Sequence, residues 1–333
     1  MSSPFLKLEN VCKYFQASRG FFSKGSVIRA VDNITLAIEA REVIALVGES
    51  GCGKTTLGKL VCGLLKPTRG KILYKGEDLW SLKRDKFMEF RRNVQIVHQD
   101  PYSCLNPART VFQSLAAPLY RWKLVKSRDE CLEEVLRLLE LAGLTPPEEF
   151  VYRYPHQLSG GERQRISVVR ALSVRPKFIV ADEAVSAIDA SLRVELMDLL
   201  LNLRRKFGIG YLFITHDLAV ARYFAGKAEG KIAVMYLGSI VELGPSEEIV
   251  KNPLHPYTKA LIAAVPVPDP EKMRKSPPLP LKSLEIPSPT RPLKGCKFHD
   301  RCPFAVELCS EKAPELRDVG GGHYVACHLV DKS

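Results

Sequence analysis

The chain has 333 residues, 46% of them hydrophobic and 26% charged, which allows one large domain with an appendage or two ordinary domains. This balance is ordinary for a globular protein and excludes a repeat array or a low-complexity polymer. The formal net charge of +12 raises nucleic-acid binding as a possibility, but no DNA- or RNA-binding motif accompanies it, so we expect no nucleic-acid partner. Apolar runs such as 43–47 are too short to cross a bilayer, and the N-terminus lacks a secretion signal, so other chains are expected to span any membrane.

The first third of the chain has the pattern of strands. Ile34, Leu36 and Ile38 alternate with polar or small residues, which predicts a strand with one buried face. The run 43–47 is apolar throughout, as in a parallel strand that is buried on both faces. Later apolar runs are separated from it by helical segments, which predicts an α/β sheet covered by helices on both faces.

A glycine-rich segment, Gly-Glu-Ser-Gly-Cys-Gly-Lys-Thr at 48–55, follows that strand and fits the P-loop pattern GxxxxGKS/T. Glycines allow a tight turn in which backbone N–H groups converge on phosphate oxygens beside a helix N-terminus. Lys54 is expected to reach the β- and γ-phosphates, and the Thr55 hydroxyl is expected to bind Mg²⁺. The candidate phosphate-binding residues here are Gly48, Ser50, Gly51, Cys52, Gly53, Lys54, Thr55 and Thr56.

Between about residues 85 and 170 the pattern becomes helical. Within 130–144, apolar residues recur at intervals of three and four, which is typical of a helix with one buried face. Further along, Ser159, Gly160 and Gly161 precede a run of good helix formers, and such a helix start can bind an anion. A plain turn followed by a helix N-cap is the alternative interpretation.

The apolar run 178–181 ends in two acids, Asp182 and Glu183. Downstream of a P-loop, Asp182 is expected to hold Mg²⁺, and Glu183 is expected to polarise the attacking water as general base. An Asp-Glu pair by itself would more often cap a helix or lie on the surface. Its position after a P-loop favours the catalytic interpretation.

The segment Leu-Ser-Gly-Gly-Glu at 158–162 resembles the LSGGQ signature of the ABC ATPase family, with Glu162 in the last position. The resemblance implies that Ser159, Gly160, Gly161 and Glu162 bind the γ-phosphate held by the P-loop of an opposite subunit. Two subunits would then sandwich two ATP molecules head to tail. The implied fold is an α/β P-loop NTPase core of the ABC type, with an antiparallel β subdomain, a helical signature subdomain and a small C-terminal cysteine-rich tail.

Other motifs extend the resemblance. Gln99 resembles the Q-loop glutamine that senses Mg²⁺ and water, which makes Thr55, Gln99 and Asp182 the implied Mg²⁺ residues. His216 resembles the switch histidine that contacts the γ-phosphate, so the implied catalytic residues are Glu183, His216 and Gln99. Phe15 matches the aromatic residue that stacks on adenine, with Tyr14 as the fallback.

Two further features concern Asp182, Glu183 and the residues that follow them. The segment 186–189, Ser-Ala-Ile-Asp, resembles the D-loop of the same family. Glu183 is followed by Ala184 and Val185, whereas the family commonly has proline directly after the glutamate. Loss of that proline is expected to loosen the turn without removing a catalytic group.

Further segments resemble one branch of the family, the dipeptide and oligopeptide importer ATPases. The segment 99–107 is similar to their QDPYxSLNPR element, which meets the coupling helix of the membrane channel, and 252–261 is similar to their C-terminal block. The stretches 185–187 and 235–238 resemble the F-type of two paralogous subunits. Alternatives are the ATPase of a related oligosaccharide or other solute importer, and a soluble ABC ATPase acting on ribosomes or DNA.

This resemblance implies a set of partners and a location. The cofactors are ATP and Mg²⁺, and the partner is a paralogous ATPase subunit, with a homodimer possible in isolation. Two transmembrane permease subunits and an extracellular solute-binding protein complete the implied system. The chain would then be a peripheral subunit at the cytoplasmic face of the cell membrane.

The C-terminal region is predicted to be a separate element. Between residues 266 and 292 prolines are frequent and no periodicity holds, which indicates an extended connector. We therefore predict an ABC domain at 1–265, with its helical subdomain at about 85–170. The connector and a metal-cluster tail would occupy 266–333. Without an export signal, disulfides are the less expected use of the cysteines there. Four of the nine cysteines crowd the tail, namely Cys296, Cys302, Cys309 and Cys327.

Four thiolates suit either an iron–sulfur cluster or a structural Zn²⁺ ion. His299, His323 and His328 are further zinc candidates. The cysteine spacing resembles the tail motif of the peptide-importer ATPases, and this resemblance implies a 4Fe–4S cluster, with zinc as the alternative.

Overall fold

The computed structural model describes residues 3–17, 26–186, 188–265, 279–288, 290 and 294–330. It divides into two compact units. The first comprises Met1–Ile38, Val43–Trp80 and Thr215–Ser333, and the second comprises Glu39–Glu42 and Ser81–Ile214. The cysteine tail therefore belongs to the same unit as the N-terminal segments. Most of the predicted connector and Ala187 of the D-loop segment lie outside the described residues, and the boundary at 265/266 stays a prediction.

The secondary structure alternates between strands and helices. The strands are β1 (Leu6–Ala17), β2 (Ser26–Ile38), β3 (Val43–Val47), β4 (Arg69–Tyr74), β5 (Glu77–Asp78), β6 (Val94–Val97), β7 (Phe178–Asp182), β8 (Gly210–Thr215), β9 (Lys231–Tyr236), β10 (Ser239–Pro245), β11 (Arg317–Asp318) and β12 (Tyr324–Val325). The helices are α1 (Lys54–Val61), α2 (Arg84–Asn93), α3 (Pro101–Cys104), α4 (Val111–Arg121), α5 (Arg128–Leu141), α6 (Glu148–Val151), α7 (Gly160–Leu172), α8 (Ala190–Phe207), α9 (Leu218–Lys227), α10 (Ser246–Lys251), α11 (Pro256–Ala263) and α12 (Glu307–Glu311).

One sheet of the first unit is antiparallel, with the strand order β2-β1-β4-β5. Leu6 of β1 lies opposite Ile38 on one side and Tyr74 on the other. Ile34 and Leu36 are buried together with Ile38, as their alternation in the sequence predicts. This sheet is the expected antiparallel β subdomain.

The other strands of the first unit have the order β11-β12-β10-β9-β3. β3 is parallel to β9 and buried along its whole length, which confirms the prediction from its continuous apolar run. β12, from the cysteine tail, pairs antiparallel with β10. The core beside these strands includes Val47, Tyr236 and Tyr257, and also Phe298 and Cys302 of the tail. The tail therefore shares the hydrophobic core of this unit.

The second unit contains three parallel strands in the order β8-β7-β6, together with α2–α8. Val135 and Leu139 of α5 are buried, as the three- and four-residue spacing predicts. In the register of the strands, Asp182 at the end of β7 lies opposite Ile214 of β8. The predicted acids thus lie at the carboxyl end of β7. None of the helices in the described ranges combines the length and the apolar character that a membrane span requires.

Candidate nucleotide-binding and catalytic site

The P-loop connects β3 to α1 in the first unit. Gly53, the residue before α1, has a φ of 108°, and a Cβ there would lie 1.9 Å from the Ala30 carbonyl oxygen, so only glycine fits. Since glycine has no side chain, the N-terminal N–H groups of α1 are not capped by this residue. That leaves a helix start suited to an anion.

Lys54 folds back over the loop that precedes it. Its side chain is 4% exposed, and its ammonium group donates hydrogen bonds to the carbonyl oxygens of Gly48 at 2.8 Å and Glu49 at 3.0 Å. Ser50, Gly51 and Thr55 are exposed, Gly53 and Thr56 are half-buried, and Gly48 and Cys52 are buried. Burial raises the pKa of the Cys52 thiol, so this cysteine is held as a neutral packing residue.

Glu49 is fixed at three of its polar groups. Its N–H donates to the Tyr257 hydroxyl at 3.0 Å, its carbonyl oxygen accepts from Lys54, and its carboxylate receives two hydrogen bonds from Arg301 at 2.8 and 2.9 Å. Arg301 and Tyr257 are site residues that no motif in the sequence indicates. No local spacing relates them to the P-loop, and only the pattern of the C-terminal block draws attention to Tyr257.

In the second unit, the structure brings Gln99 and Glu183 together. The Gln99 amide donates a hydrogen bond of 3.0 Å to the Glu183 carboxylate. Asp182, one residue earlier, is buried at the end of β7. Glu183 has a φ of 48°, an uncommon backbone conformation for a residue with a side chain, and such residues cluster at functional sites.

The turn after Glu183 is closed by hydrogen bonds rather than by proline. The N–H of Glu183 donates to the Ile214 carbonyl oxygen at 3.0 Å, and the N–H of Ser186 donates to the Glu183 carbonyl oxygen at 3.0 Å. Ala184 and Val185, which are part of the turn, are buried. The turn that was expected to be loose is therefore held by backbone contacts and by apolar packing.

The signature segment forms the N-terminus of α7. The Ser159 hydroxyl accepts from the Glu162 N–H at 3.3 Å, and the Glu162 carboxylate accepts from the Ser159 N–H at 2.6 Å. This arrangement is a capping box, in which two helix-end donors are satisfied reciprocally. Gly160 and Gly161 follow the cap without side chains, and Gly160 is exposed.

Two residues of α7 connect the signature to the segment that contains Gln99. The guanidinium of Arg163 lies over the Tyr102 ring, 4.0 Å from its centroid, and also donates to the carbonyl oxygen of Pro155 at 3.2 Å. The amide of Gln164 donates to the His98 carbonyl oxygen at 3.3 Å. Arg163 could not be recognised from the motif alone, because its contacts with Tyr102 and Pro155 form only in the folded chain.

His216 and Phe15 lie at exposed positions of the first unit. His216 follows β8 and precedes Asp217, whose carboxylate caps α9 by accepting from the Ala219 N–H at 2.8 Å. The Phe15 ring is 38% exposed on β1. The Tyr14 hydroxyl instead donates to the Asp32 carboxylate at 2.6 Å, so Tyr14 is engaged within the protein.

The four tail cysteines are free thiols in the first unit, and Cys302 and Cys309 are buried. Burial raises the pKa of Cys296 to about 11, and the charges of the other three thiolates would add to that shift. The pKa values of Cys302 and Cys327 are raised for the same reasons, burial first. Within the described ranges, no group of three or more His, Cys, Asp or Glu side chains is arranged to hold a metal ion.

The three tail histidines, His299, His323 and His328, form hydrogen bonds with oxygen atoms of the protein. The His323 imidazole is hydrogen-bonded to the Glu242 carboxylate at 2.8 Å, and the His299 imidazole donates to the Cys296 carbonyl oxygen at 2.7 Å. The His328 imidazole donates to the Lys312 carbonyl oxygen at 2.7 Å.

Comparison with known proteins gives matches along nearly the whole chain. A family model described as ABC transporter matches residues 31–186, and one described as the oligopeptide/dipeptide transporter C-terminal region matches 241–309. A probable peptide ABC transporter ATP-binding protein of Sinorhizobium fredii is 43% identical over 99% of this chain and 91% of its own length. An oligopeptide transport ATP-binding protein of Bacillus subtilis is 43% identical over 97% of each chain.

A solved structure supports the fold. It is the dimeric structure of an ATP-binding cassette in a post-hydrolysis state, bound to ADP and Pi, and its sequence is 28% identical to this chain. It covers 72% of this chain and 98% of its own, with a TM-score of 0.62. The fold and the P-loop thus define an ABC-type ATPase. Both the predicted fold class and the prediction that the chain is an ATPase are confirmed. Membership in this class implies ATP and Mg²⁺ as cofactors.

The relatives that match along the whole chain identify a family within the ABC-type ATPases. The chain belongs to the family of oligopeptide and dipeptide transport ATP-binding proteins of ABC transporters. The resemblance seen in its motifs is confirmed.

Proposed function

We propose that this chain hydrolyses ATP as one half of a paired ATPase that powers the import of dipeptides or oligopeptides. The observation that supports ATP hydrolysis is the hydrogen bond of 3.0 Å between the Gln99 amide and the Glu183 carboxylate. Glu183 directly follows the buried Asp182 in the chain. A carboxylate oriented by an amide is suited to accept a proton from water. Peptide as the substrate rests on the relatives, whose names describe peptide and oligopeptide transport.

Each candidate residue has a proposed role. In the first unit, Lys54 and the P-loop amides bind phosphate oxygens, and Thr55 binds Mg²⁺. His216 contacts the γ-phosphate and Phe15 stacks on adenine. In the second unit, Asp182 holds the Mg²⁺ shell, with Gln99 sensing metal and water, and Glu183 is the general base.

The signature residues are proposed to serve a second nucleotide, held by a partner subunit. The supporting observation is that Ser159, Gly160 and Gly161 lie at the capped start of α7, where backbone N–H groups and the helix dipole favour an anion. The related cassette of known structure is dimeric. We propose a paralogous ATPase as the partner in the transporter, with a homodimer possible in isolation.

The partners and location follow from the same proposal. We expect two permease subunits in the membrane, an extracellular solute-binding protein, and a peripheral position of this chain at the cytoplasmic face. The segment around Tyr102 is the proposed contact with the permease, since this ring is 55% exposed and lies against Arg163 of the signature helix. Movement of Tyr102 would therefore displace the Arg163 side chain at the start of α7.

The tail cysteines are proposed to hold a 4Fe–4S cluster. The support is the type of donor, since the four tail cysteines are free and thiolates suit an iron–sulfur cluster, although the described side chains are not arranged as a metal site. Such a cluster would supply a structural link between Cys296, Cys302, Cys309 and Cys327. Structural zinc is the alternative, and metal and sulfide analysis separates the two.

The test of the proposed function is reconstitution of the full-length chain with its partner ATPase and permease in liposomes. We expect ATP hydrolysis that accelerates when the binding protein delivers an oligopeptide, and uptake of that peptide. Stimulation by an oligosaccharide and not by peptides would contradict the proposed substrate. Co-purification with ribosomes or DNA instead of membrane subunits would contradict transport.

A further inference from the structure

The loop 296–302 of the tail places a buried arginine against the P-loop. Arg301 is 3% exposed, and two of its guanidinium nitrogens each donate to one oxygen of the Glu49 carboxylate, at 2.8 and 2.9 Å. The third nitrogen donates to the Ser283 carbonyl oxygen at 3.3 Å. Two-point pairs between guanidinium and carboxylate are strong and fix the orientation of both groups.

The loop has its own anchors, so the position of Arg301 does not depend on Glu49 alone. The Lys297 ammonium contacts the Asp32 carboxylate at 2.9 Å, the Leu237 carbonyl oxygen at 2.8 Å and the Ser239 hydroxyl at 2.7 Å. The buried Phe298 ring packs edge-on against Tyr236, with 5.3 Å between centroids. These contacts present a preorganised cation to the P-loop.

Because Glu49 is negatively charged, its pairing with Arg301 is expected to affect nucleotide binding. A carboxylate within a phosphate-binding loop opposes the approach of an anion, and a paired guanidinium neutralises it. The pair also fixes the side chain of a residue whose carbonyl oxygen accepts from Lys54. Loss of the guanidinium would therefore leave an unneutralised negative charge in the loop and release one of its anchors.

We propose that Arg301 is a positioning residue of the P-loop, which couples the folded state of the cysteine tail to the affinity for nucleotide. This inference rests on the proposed role of residues 48–55 in binding ATP phosphates. Coupling between two sites is reciprocal, so bound nucleotide would also stabilise the tail loop 296–302.

The first test is a double-mutant cycle on the full-length chain, with a fluorescent ADP analogue and Mg²⁺ as the probe. Arg301→Met should weaken binding about fivefold or more. Adding Glu49→Gln to Arg301→Met should restore most of the affinity, because the unpaired carboxylate is then gone. Lys312→Met, which removes an exposed cation of the same tail, should bind like the wild type.

Arg301→Met binding as tightly as the wild type would overturn the proposal, and so would a double variant no tighter than Arg301→Met alone. A merely structural arginine would show no such rescue. Where Arg301→Met does not fold, Arg301→Lys replaces it in the cycle, since lysine keeps the charge but loses the two-point geometry. We expect its affinity to be lower than that of the wild type, and equal affinity would overturn the proposal.

A second test uses the tail as the reporter. Mg²⁺ and ADP should slow amide hydrogen exchange in 296–302 of the wild type, and should slow it less in Glu49→Gln. Equal protection in both would overturn the coupling. A wild-type chain that binds no nucleotide would instead contradict the proposed function, so the two failures are distinguishable.

Discussion

The Gln99 amide donates a hydrogen bond of 3.0 Å to the Glu183 carboxylate, although the two residues are 84 positions apart in the chain. The bond orients the carboxylate through one of its two oxygens. Glu183 also has an uncommon left-handed backbone, held by hydrogen bonds from its own N–H and to its own carbonyl oxygen. The proposed base is thus fixed at both its backbone and its side chain.

Glu183→Gln should lower kcat for ATP hydrolysis by about a hundredfold or more, because an amide cannot take a proton from the attacking water. Nucleotide affinity should be retained, since glutamine has the same shape, and ATP should accumulate in a closed dimer. Phosphate release, equilibrium binding and size-exclusion chromatography with Mg²⁺ and ATP measure the three properties. Glu133→Gln, at an exposed position of α5, is the matched control. Unaltered turnover in Glu183→Gln would refute the assignment.

Lys54→Ala should weaken nucleotide binding roughly tenfold or more, because a charge-assisted contact with phosphate is lost. Lys59→Ala removes a lysine from the last turn of the same helix and should bind normally. Isothermal calorimetry with Mg²⁺ and ADP measures both affinities, and circular dichroism verifies the fold. Equal affinity of the two variants would show that Lys54 does not bind phosphate.

The buried His255 should lower the free energy of unfolding of the protein in mild acid. Burial lowers its pKa from 6.5 to about 4, and the nearby Glu242 carboxylate opposes this shift. Between these two pH values the unfolded chain binds a proton that the folded chain does not, so the free energy of unfolding falls as the pH falls. From pH 7.5 to 5.5 we expect a loss of about 1 kcal/mol from this residue.

Urea unfolding of the wild type and of His255→Asn at the two pH values measures this contribution. Asparagine is a good N-cap, and His255 caps α11 by accepting from the Tyr257 N–H, so the variant should fold. Its unfolding free energy should depend less on pH, by about 1 kcal/mol over this range. The same pH dependence in both proteins would rule out His255 as the source.

Cys302→Ser should abolish the iron–sulfur cluster proposed for the tail, because one of four thiolate ligands is lost. Anaerobically purified wild type should be brown and contain about four irons and four sulfides per chain. Cys104→Ser, outside the tail, should keep both colour and iron. A colourless wild type with stoichiometric zinc would establish the alternative metal.

Local patterns in the sequence predicted much of the fold and the positions of the main motifs. The burial of β3 follows from its continuous apolar run, and the alternation of Ile34 and Leu36 predicted the buried face of β2. The P-loop could be recognised because its chemistry requires fixed residue types at consecutive positions. The capping of α7 by Ser159 and Glu162 is likewise a short-range relationship of three residues.

Short-range patterns in the sequence are therefore sufficient to predict an ABC-type ATPase with a P-loop, a signature helix and a cysteine-rich tail, since neighbouring residues encode each of these. The distant side chains that hold those motifs in place can be identified only in the folded chain. Arg301 and Glu49 are 252 positions apart, and His323 and Glu242 are 81 apart. No periodicity relates such partners, because their contact depends on how the intervening chain folds and on the burial that makes an unpaired charge costly there.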